Sequence, residues 1–111
     1  MLQHMATRRE KIEAMLQEDP SDVFLRYSLA LELDKEGDHE RSLAGLGALT
    51  LGATPYVPAF FMAAQQLVRL ARIDEARAAL RSGIDEARRQ ANAHAAGEMA
   101  ELLAQLGTGG E

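Results

Sequence analysis

One imidazole of the chain lies in line with two carboxylates, a combination of groups that can bind a metal ion. His94, Glu98 and Glu101 follow one another at intervals of four and three residues, so a helix would carry them on one face. Zinc, manganese and iron all accept such ligands. No further ligand is evident, and this spacing is more typical of a solvated helix face. A small metal-binding protein or enzyme is therefore an alternative rather than the main prediction.

The other groups that could do chemistry are sparse. The acidic pairs Asp74-Glu75 and Asp85-Glu86 fall near predicted helix starts or on polar faces, where carboxylates offset the helix dipole. The glycine-rich end, residues 107–110, has no helix after it and therefore does not resemble a phosphate-binding loop. The chain has no cysteine, which excludes a thiolate nucleophile, a disulfide and a zinc–cysteine site. We therefore expect no catalysis, no cofactor and no metal.

The composition indicates a helical protein that is neither basic nor membrane-spanning. Hydrophobic residues make up 47% of the 111 positions and are mostly Ala and Leu, which favour helix. A net charge of -5 argues against a nucleic-acid partner, because phosphates need clustered Lys and Arg. No apolar run approaches the ~20 residues that cross a bilayer, and the N-terminus lacks the apolar segment of a signal peptide. We expect no membrane partner and a cytoplasmic location.

Apolar periodicity divides the chain into about six helices, followed by a flexible tail at 107–111. Pro20 ends the first helix because it cannot continue one, and Gly37 with Asp38 forms the turn between the second and third helices. The helices are predicted at 4–18, 22–36, 39–51, 55–70, 73–92 and 94–106.

Two glycines lie inside the third predicted helix. Each costs about 1 kcal/mol relative to alanine in a helix interior. Gly45 and Gly47 therefore either allow a close backbone crossing, which we favour, or make this the least stable helix.

The second and third helices recur one period later. Four positions show the repeat. The residues 34 positions after Leu33, Gly37, Ser42 and Leu46 are Leu67, Ala71, Ala76 and Leu80. A helix-turn-helix unit of this period resembles the tetratricopeptide repeat. The family pattern W-x2-L-G-x2-Y is met by Arg26-x2-Leu29-Ala30-x2-Leu33 and Phe60-x2-Ala63-Ala64-x2-Leu67, and the pattern A-x3-F by Ser42-x3-Leu46 and Ala76-x3-Leu80.

Some positions depart from the family pattern. Arg26 stands in the Trp place of the first unit, and Arg88 stands where a closing proline is expected after the second. Pro20 does occupy that closing place before the first unit. The chain is most similar to the small free-standing bacterial members of the family.

The resemblance implies an all-α, right-handed α-solenoid of antiparallel helix pairs. It implies a single domain at 1–106, followed by the tail. This domain would comprise a leading helix at 4–18, repeats at 23–56 and 57–90, and a capping helix at 94–106.

The resemblance also implies a function, because the first helices of such repeats line a concave groove that holds a peptide or helix of a partner protein. Helical geometry separately places residues 24, 27, 31 and 34 on one face. Carried over position by position, the partner-binding residues are Phe24, Tyr27, Leu31, Asp34 and Lys35 in the first repeat and Pro58, Phe61, Gln65, Val68 and Arg69 in the second.

Equivalent positions of the two repeats hold aromatic and basic side chains. Tyr27 and Phe61 would be apolar anchors, and Lys35 and Arg69 a basic edge. Such a groove suits an amphipathic segment that bears an acidic group. Alternatively, the apolar residues of the first repeat pack under a neighbouring helix and the basic pair is only solvated. A further alternative is a homodimer whose apolar face closes on a second copy.

Overall fold

A computed structural model describes residues 5–107, and in this range the secondary structure is entirely helical. This confirms the predicted all-α class and the number of helices. The first helix begins later than predicted, and Gly107 is the only residue of the predicted tail that lies inside the described range. The helices are α1 (Arg8–Glu18), α2 (Val23–Lys35), α3 (His39–Leu49), α4 (Val57–Arg69), α5 (Ile73–Arg89) and α6 (Ala93–Gln105).

The chain divides into two compact units, an N-terminal unit (Met1–Leu49) and a C-terminal unit (Thr50–Glu111). In the N-terminal unit α2 packs against both α1 and α3. In the C-terminal unit α5 packs against α4 and α6, and α4 also contacts α6. The single solenoid domain at 1–106 stays a prediction.

The predicted 34-residue phase is present in the helix boundaries. Helices α2 and α4 begin at Val23 and Val57, and α3 and α5 begin at His39 and Ile73. The helices α2 and α4 have the same length of 13 residues. The two helical hairpins therefore match in phase up to the start of their second helices, but α5, with 17 residues, runs on beyond the length of α3, which has 11.

The turns within the two hairpins also match. Gly37 has a φ of +86°, and the Asp38 N–H donates to the Leu33 carbonyl at 2.9 Å. After 34 residues, Ala71 has a φ of +61°, and the Arg72 N–H donates to the Leu67 carbonyl at 2.8 Å. A left-handed residue with this hydrogen bond is the standard way to end a helix. The turn predicted at Gly37 is therefore confirmed.

The core of the C-terminal unit is formed by all three of its helices. Leu80 and Met99 are fully buried, and Phe60 packs with them. A Cβ added to Gly83 would lie 2.5 Å from the Met99 Sδ and 2.6 Å from the Phe60 Cβ. Glycine is therefore required where α5 passes α4 and α6.

The N-terminal unit has a smaller core, in which α3 packs on α2. The buried Ser42 hydroxyl donates to the Ala30 carbonyl at 2.6 Å. A Cβ on Gly45 would meet Ala30 at an ordinary 3.6 Å, and one on Gly47 would meet nothing within 4 Å. The favoured prediction that these glycines allow a close crossing is therefore wrong. The residue that permits one is Gly83.

Helix α1 is attached to α2 by charge as well as by packing. Ile12 is its buried residue among those described. The Arg8 Nε lies 2.6 Å from a Glu32 carboxylate oxygen, and the Arg9 Nε lies 2.8 Å from one of Glu36. The Glu36 carboxylate raises the pKa of Arg9 by hydrogen bonding and by its charge. Two arginine–glutamate pairs therefore join α1 to the last turn of α2 and to the residue that follows it.

Candidate functional site

A groove of about 440 Å³ runs between α4 and α6 of the C-terminal unit. One wall is the face of α4 that carries Phe61, Gln65, Val68 and Arg69. These positions are spaced by three and four residues, so they share one helix face. The neighbouring face of α4 packs into the core and includes the buried residues Phe60, Ala64 and Leu67.

The other wall of the groove is α6. Its lining residues Glu98, Glu101, Leu102 and Gln105 also recur at helical spacing. They flank the buried Met99, which fixes the rotation of α6 about its axis. The groove therefore exists because one side of α6 is held by the core.

Both ends of α6 are held by hydrogen bonds with side chains. The Asn92 side chain accepts the Ala95 N–H at 3.1 Å and so caps the N-terminus of the helix. At the other end, Arg77 of α5 donates to the carbonyls of Leu106 and Gly107 at 3.2 and 3.3 Å. Arg77 is only 5% exposed, and its Nη1 also lies 2.9 Å from Asp74. These bonds hold the α6 wall in place.

The groove contains four of the five partner-binding residues that were predicted for the second repeat. Phe61 and Leu102 pack against the core on one side and line the groove on the other, so its floor is apolar. Gln65 and Arg69 are exposed at its edge, and Val68 is half-buried. Pro58 is exposed at the start of α4 and is not among the lining residues.

The residues predicted for the first repeat have more varied surroundings. Phe24 lines a crevice of about 190 Å³ between α1 and α2. It remains 66% exposed, so the alternative in which it packs under a neighbouring helix is wrong for this residue. Tyr27 and Leu31 are half-buried.

The two charged residues predicted for the first repeat have partners within the N-terminal unit. Asp34 Oδ1 lies 2.9 Å from the His39 Nδ1, which joins the end of α2 to the start of α3. Lys35 is exposed, and its Nζ lies 3.5 Å from Glu32. Both side chains therefore contribute to the local structure of their hairpin.

Sequence reasoning missed the charge of the α6 wall. Glu98 and Glu101 were considered only as metal ligands, yet they line the groove opposite Arg69. His94 Nε2 lies 3.3 Å from Glu98 Oε1. The signal was present in the helical pattern, because both glutamates directly flank the apolar positions Met99 and Leu102.

The acidic side chains of the described residues do not form a metal site. Within residues 5–107, no three His, Asp or Glu side chains are arranged to hold a metal ion. Among the acidic pairs, a 2.6 Å hydrogen bond from Arg72 lowers the pKa of Glu75. Arg89 lowers the pKa of Glu86 in the same way, with a further bond from Gln90. Carboxylates held ionised in this way are poor general acids.

No helix in the described range is both long enough and apolar enough to cross a bilayer. Comparison of the chain with protein-family models, with curated proteins and with solved structures gives no match.

Proposed function

We propose that this chain is a non-catalytic protein-interaction module that binds a peptide or helix of a partner protein in the groove between α4 and α6. The observation that carries the proposal is the composition of that groove. It brings together Phe61, Gln65, Val68 and Arg69, four of the five second-repeat residues at which a tetratricopeptide-like module would contact its partner.

The groove has the features of a peptide site. Its floor is apolar at Phe61 and Leu102, and its edges carry exposed polar and charged side chains. Apolar side chains of a bound helix gain most of their binding energy in such a floor, while the polar edge sets the orientation. Because the floor continues the core, the groove is largely formed before a partner arrives.

The proposal includes a right-handed solenoid of antiparallel helix pairs, as in tetratricopeptide proteins. The 34-residue spacing of the helix starts and the matching left-handed turns at Gly37 and Ala71 support it. The cytoplasmic location and the absence of nucleic-acid and membrane partners remain predictions from the sequence.

Selection from a displayed random peptide library, with the full chain as bait, tests the proposal. We expect enriched peptides, and we expect Gln65→Arg to weaken their binding by about tenfold or more, because it places a long side chain in the groove. Gln65 is preferred to Phe61 because Phe61 also packs against the core. Ser82→Arg is the matched control, because Ser82 is exposed on α5 and does not line the groove.

Two outcomes would oppose the proposal. One is a library that yields no enriched peptide. The other is a set of enriched peptides that bind the Gln65→Arg and Ser82→Arg variants equally well.

Self-association is a second candidate function, and the surface of the N-terminal unit favours it. Met15 and Phe24 line the same crevice between α1 and α2 and are 48% and 66% exposed, and exposed apolar side chains that lie together mark interaction surfaces. Light scattering over a range of concentrations would give twice the chain mass of 12.1 kDa if this surface is covered by a second copy. Phe24→Asp would then restore the monomer.

A further inference from the structure

The two walls of the α4–α6 groove carry unequal charge. The charged residues that line it are Arg69 on α4 and Glu98 and Glu101 on α6. The nearby His94 is connected to this lining by an ion pair with Glu98. The groove is therefore acidic along α6, while its floor at Phe61 and Leu102 is apolar.

This charge pattern restricts what can be bound. A segment lying on the floor would remove water from part of the α6 wall, and a carboxylate that loses water is destabilised unless a cation or donor replaces it. An acidic side chain placed beside Glu98 and Glu101 would add repulsion between like charges. A Lys or Arg at the same place would complement both carboxylates.

We propose that the groove selects a basic amphipathic segment, with an apolar stripe on the floor and Lys or Arg side chains directed at Glu98 and Glu101. This inference rests on the proposed function and specifies its partner. It reverses the sequence-based prediction of an acidic segment, which considered Lys35 and Arg69 alone. Lys35 belongs to the other unit and lies beside Glu32, whereas the two glutamates face Arg69 across the groove.

The charge of the selected peptides tests the inference. A displayed random library of 16-residue peptides is selected at pH 7.5 against the full chain and against the double variant Glu98→Lys/Glu101→Lys. Both glutamates are exposed, so the variant should fold, and circular dichroism checks this. We expect the parent chain to enrich peptides with apolar residues at intervals of three and four and with excess Lys and Arg. The variant should enrich acidic peptides instead.

Individual synthetic peptides from the selection give the size of the effect. We expect Glu98→Gln/Glu101→Gln to weaken the best basic peptide by about five- to tenfold, which corresponds to two partly exposed charge pairs. Binding to the parent chain should weaken with added NaCl, and this dependence should become smaller in the Gln variant. Asp85→Lys replaces an exposed carboxylate of α5 that does not line the groove. It should change neither the affinity for the basic peptide nor the salt dependence of binding.

The outcomes separate this inference from the proposed function. Enriched peptides that are acidic or neutral, but that Gln65→Arg still blocks, would overturn the basic preference and leave groove binding intact. A basic preference that persists in the Glu98→Lys/Glu101→Lys variant would also overturn it, because the charge would then be recognised elsewhere. The absence of any groove-dependent peptide would remove both proposals.

Discussion

Gly83 is the residue on which the packing of the C-terminal unit depends most directly. Its missing side chain leaves room for the Met99 Sδ and the Phe60 Cβ, which a Cβ would approach to 2.5 and 2.6 Å. Phe60 would be met at its own Cβ rather than at the end of a flexible chain, so a rotamer change cannot relieve the contact. Overpacking of this kind costs about 1–3 kcal/mol.

We predict that Gly83→Ala destabilises the chain even though alanine is the better helix former. Contacts as short as 2.5 and 2.6 Å place the overpacking cost in the upper part of its range, about 2–3 kcal/mol, so after the propensity gain of about 1 kcal/mol a net loss of about 1–2 kcal/mol is expected. Urea unfolding followed by circular dichroism at 222 nm measures it.

Gly97→Ala is the matched control for this prediction. Gly97 is an exposed glycine inside α6, and a Cβ there would meet nothing within 4 Å. The same change of residue should therefore stabilise the chain by about 0.5–1 kcal/mol. Equal effects of the two substitutions would show that the close approach at Gly83 is wrong.

At Ala71, in contrast to Gly83, glycine should be more stable than alanine. It has a φ of +61°, in the left-handed region that a Cβ disfavours by about 1–2 kcal/mol. Glycine would remove this strain, but it would also lower the free energy of unfolding by about 0.5–1 kcal/mol, because the unfolded chain gains conformational entropy. We expect Ala71→Gly to stabilise the chain by about 0.5–1 kcal/mol in thermal or urea unfolding.

The equivalent turn of the other hairpin supplies the reverse substitution. Gly37 has a φ of +86° and no atom within 4 Å of an added Cβ, so only backbone strain is tested there. Gly37→Ala should destabilise by about 1 kcal/mol. Two changes of the same sign would contradict the left-handed assignment of one of the turns.

At the scale of the elements, α6 matters because it forms a wall of the groove, and Arg77 secures its C-terminal end. The Arg77 guanidinium reaches from α5 to the carbonyls of Leu106 and Gly107, which have no acceptor role left within the helix. Since the side chain is almost fully buried, its removal leaves these carbonyls without their donor.

We predict that Arg77→Met destabilises the chain by about 1–3 kcal/mol and loosens the last turn of α6 more than its first. Hydrogen exchange of the α6 amides measures the second effect. Arg77→Lys keeps the charge but not the forked donor, and should fall between the parent and the Met variant. Arg81→Met, at an exposed α5 position, should stay within about 0.5 kcal/mol. Uniform protection changes along α6 in Arg77→Met would contradict a local capping role.

At the scale of the whole molecule, the sequence predicted what depends on local rules. The turn at Gly37 is predicted because glycine tolerates a left-handed conformation. Its counterpart at Ala71 is predicted because it lies one 34-residue period later. The α4 side of the groove follows from helical periodicity, which separates Phe61 and Gln65 from the buried face that contains Phe60. These features need only the spacing of residues within one helix or turn.

The features that sequence reasoning missed depend on contacts between distant helices. Helical spacing places Glu98 and Glu101 beside the apolar face of α6, but that they face α4 depends on Met99 packing in the space left by Gly83, which the sequence of α6 alone does not indicate. Arg77 bonds a carbonyl 29 residues away. Phe24 remains exposed because α1 leaves it uncovered, which amphipathic spacing within α2 does not indicate. The rotation of each helix about its axis is a tertiary property.

The division of the chain into two units leads to a prediction about which part folds alone. The largest core, with Phe60, Leu80 and Met99, lies wholly within the C-terminal unit. Folded domains of about 60 residues bury about 60% of their unfolded surface and are marginally stable. We expect the fragment 50–111 to remain helical and to unfold cooperatively in urea, with a smaller free energy of unfolding than the full chain.

Leu80→Ala in the same fragment tests whether that core is responsible. Leu80 is fully buried, and truncating such a leucine costs about 2–5 kcal/mol, which is comparable to the whole stability of a domain this small. The variant fragment should lose its cooperative transition, while Ala78→Ser on the exposed face of α5 should keep it. If the parent fragment is itself unfolded, the groove-bearing helices need residues 1–49 to fold, and peptide binding must then be measured on the full chain alone.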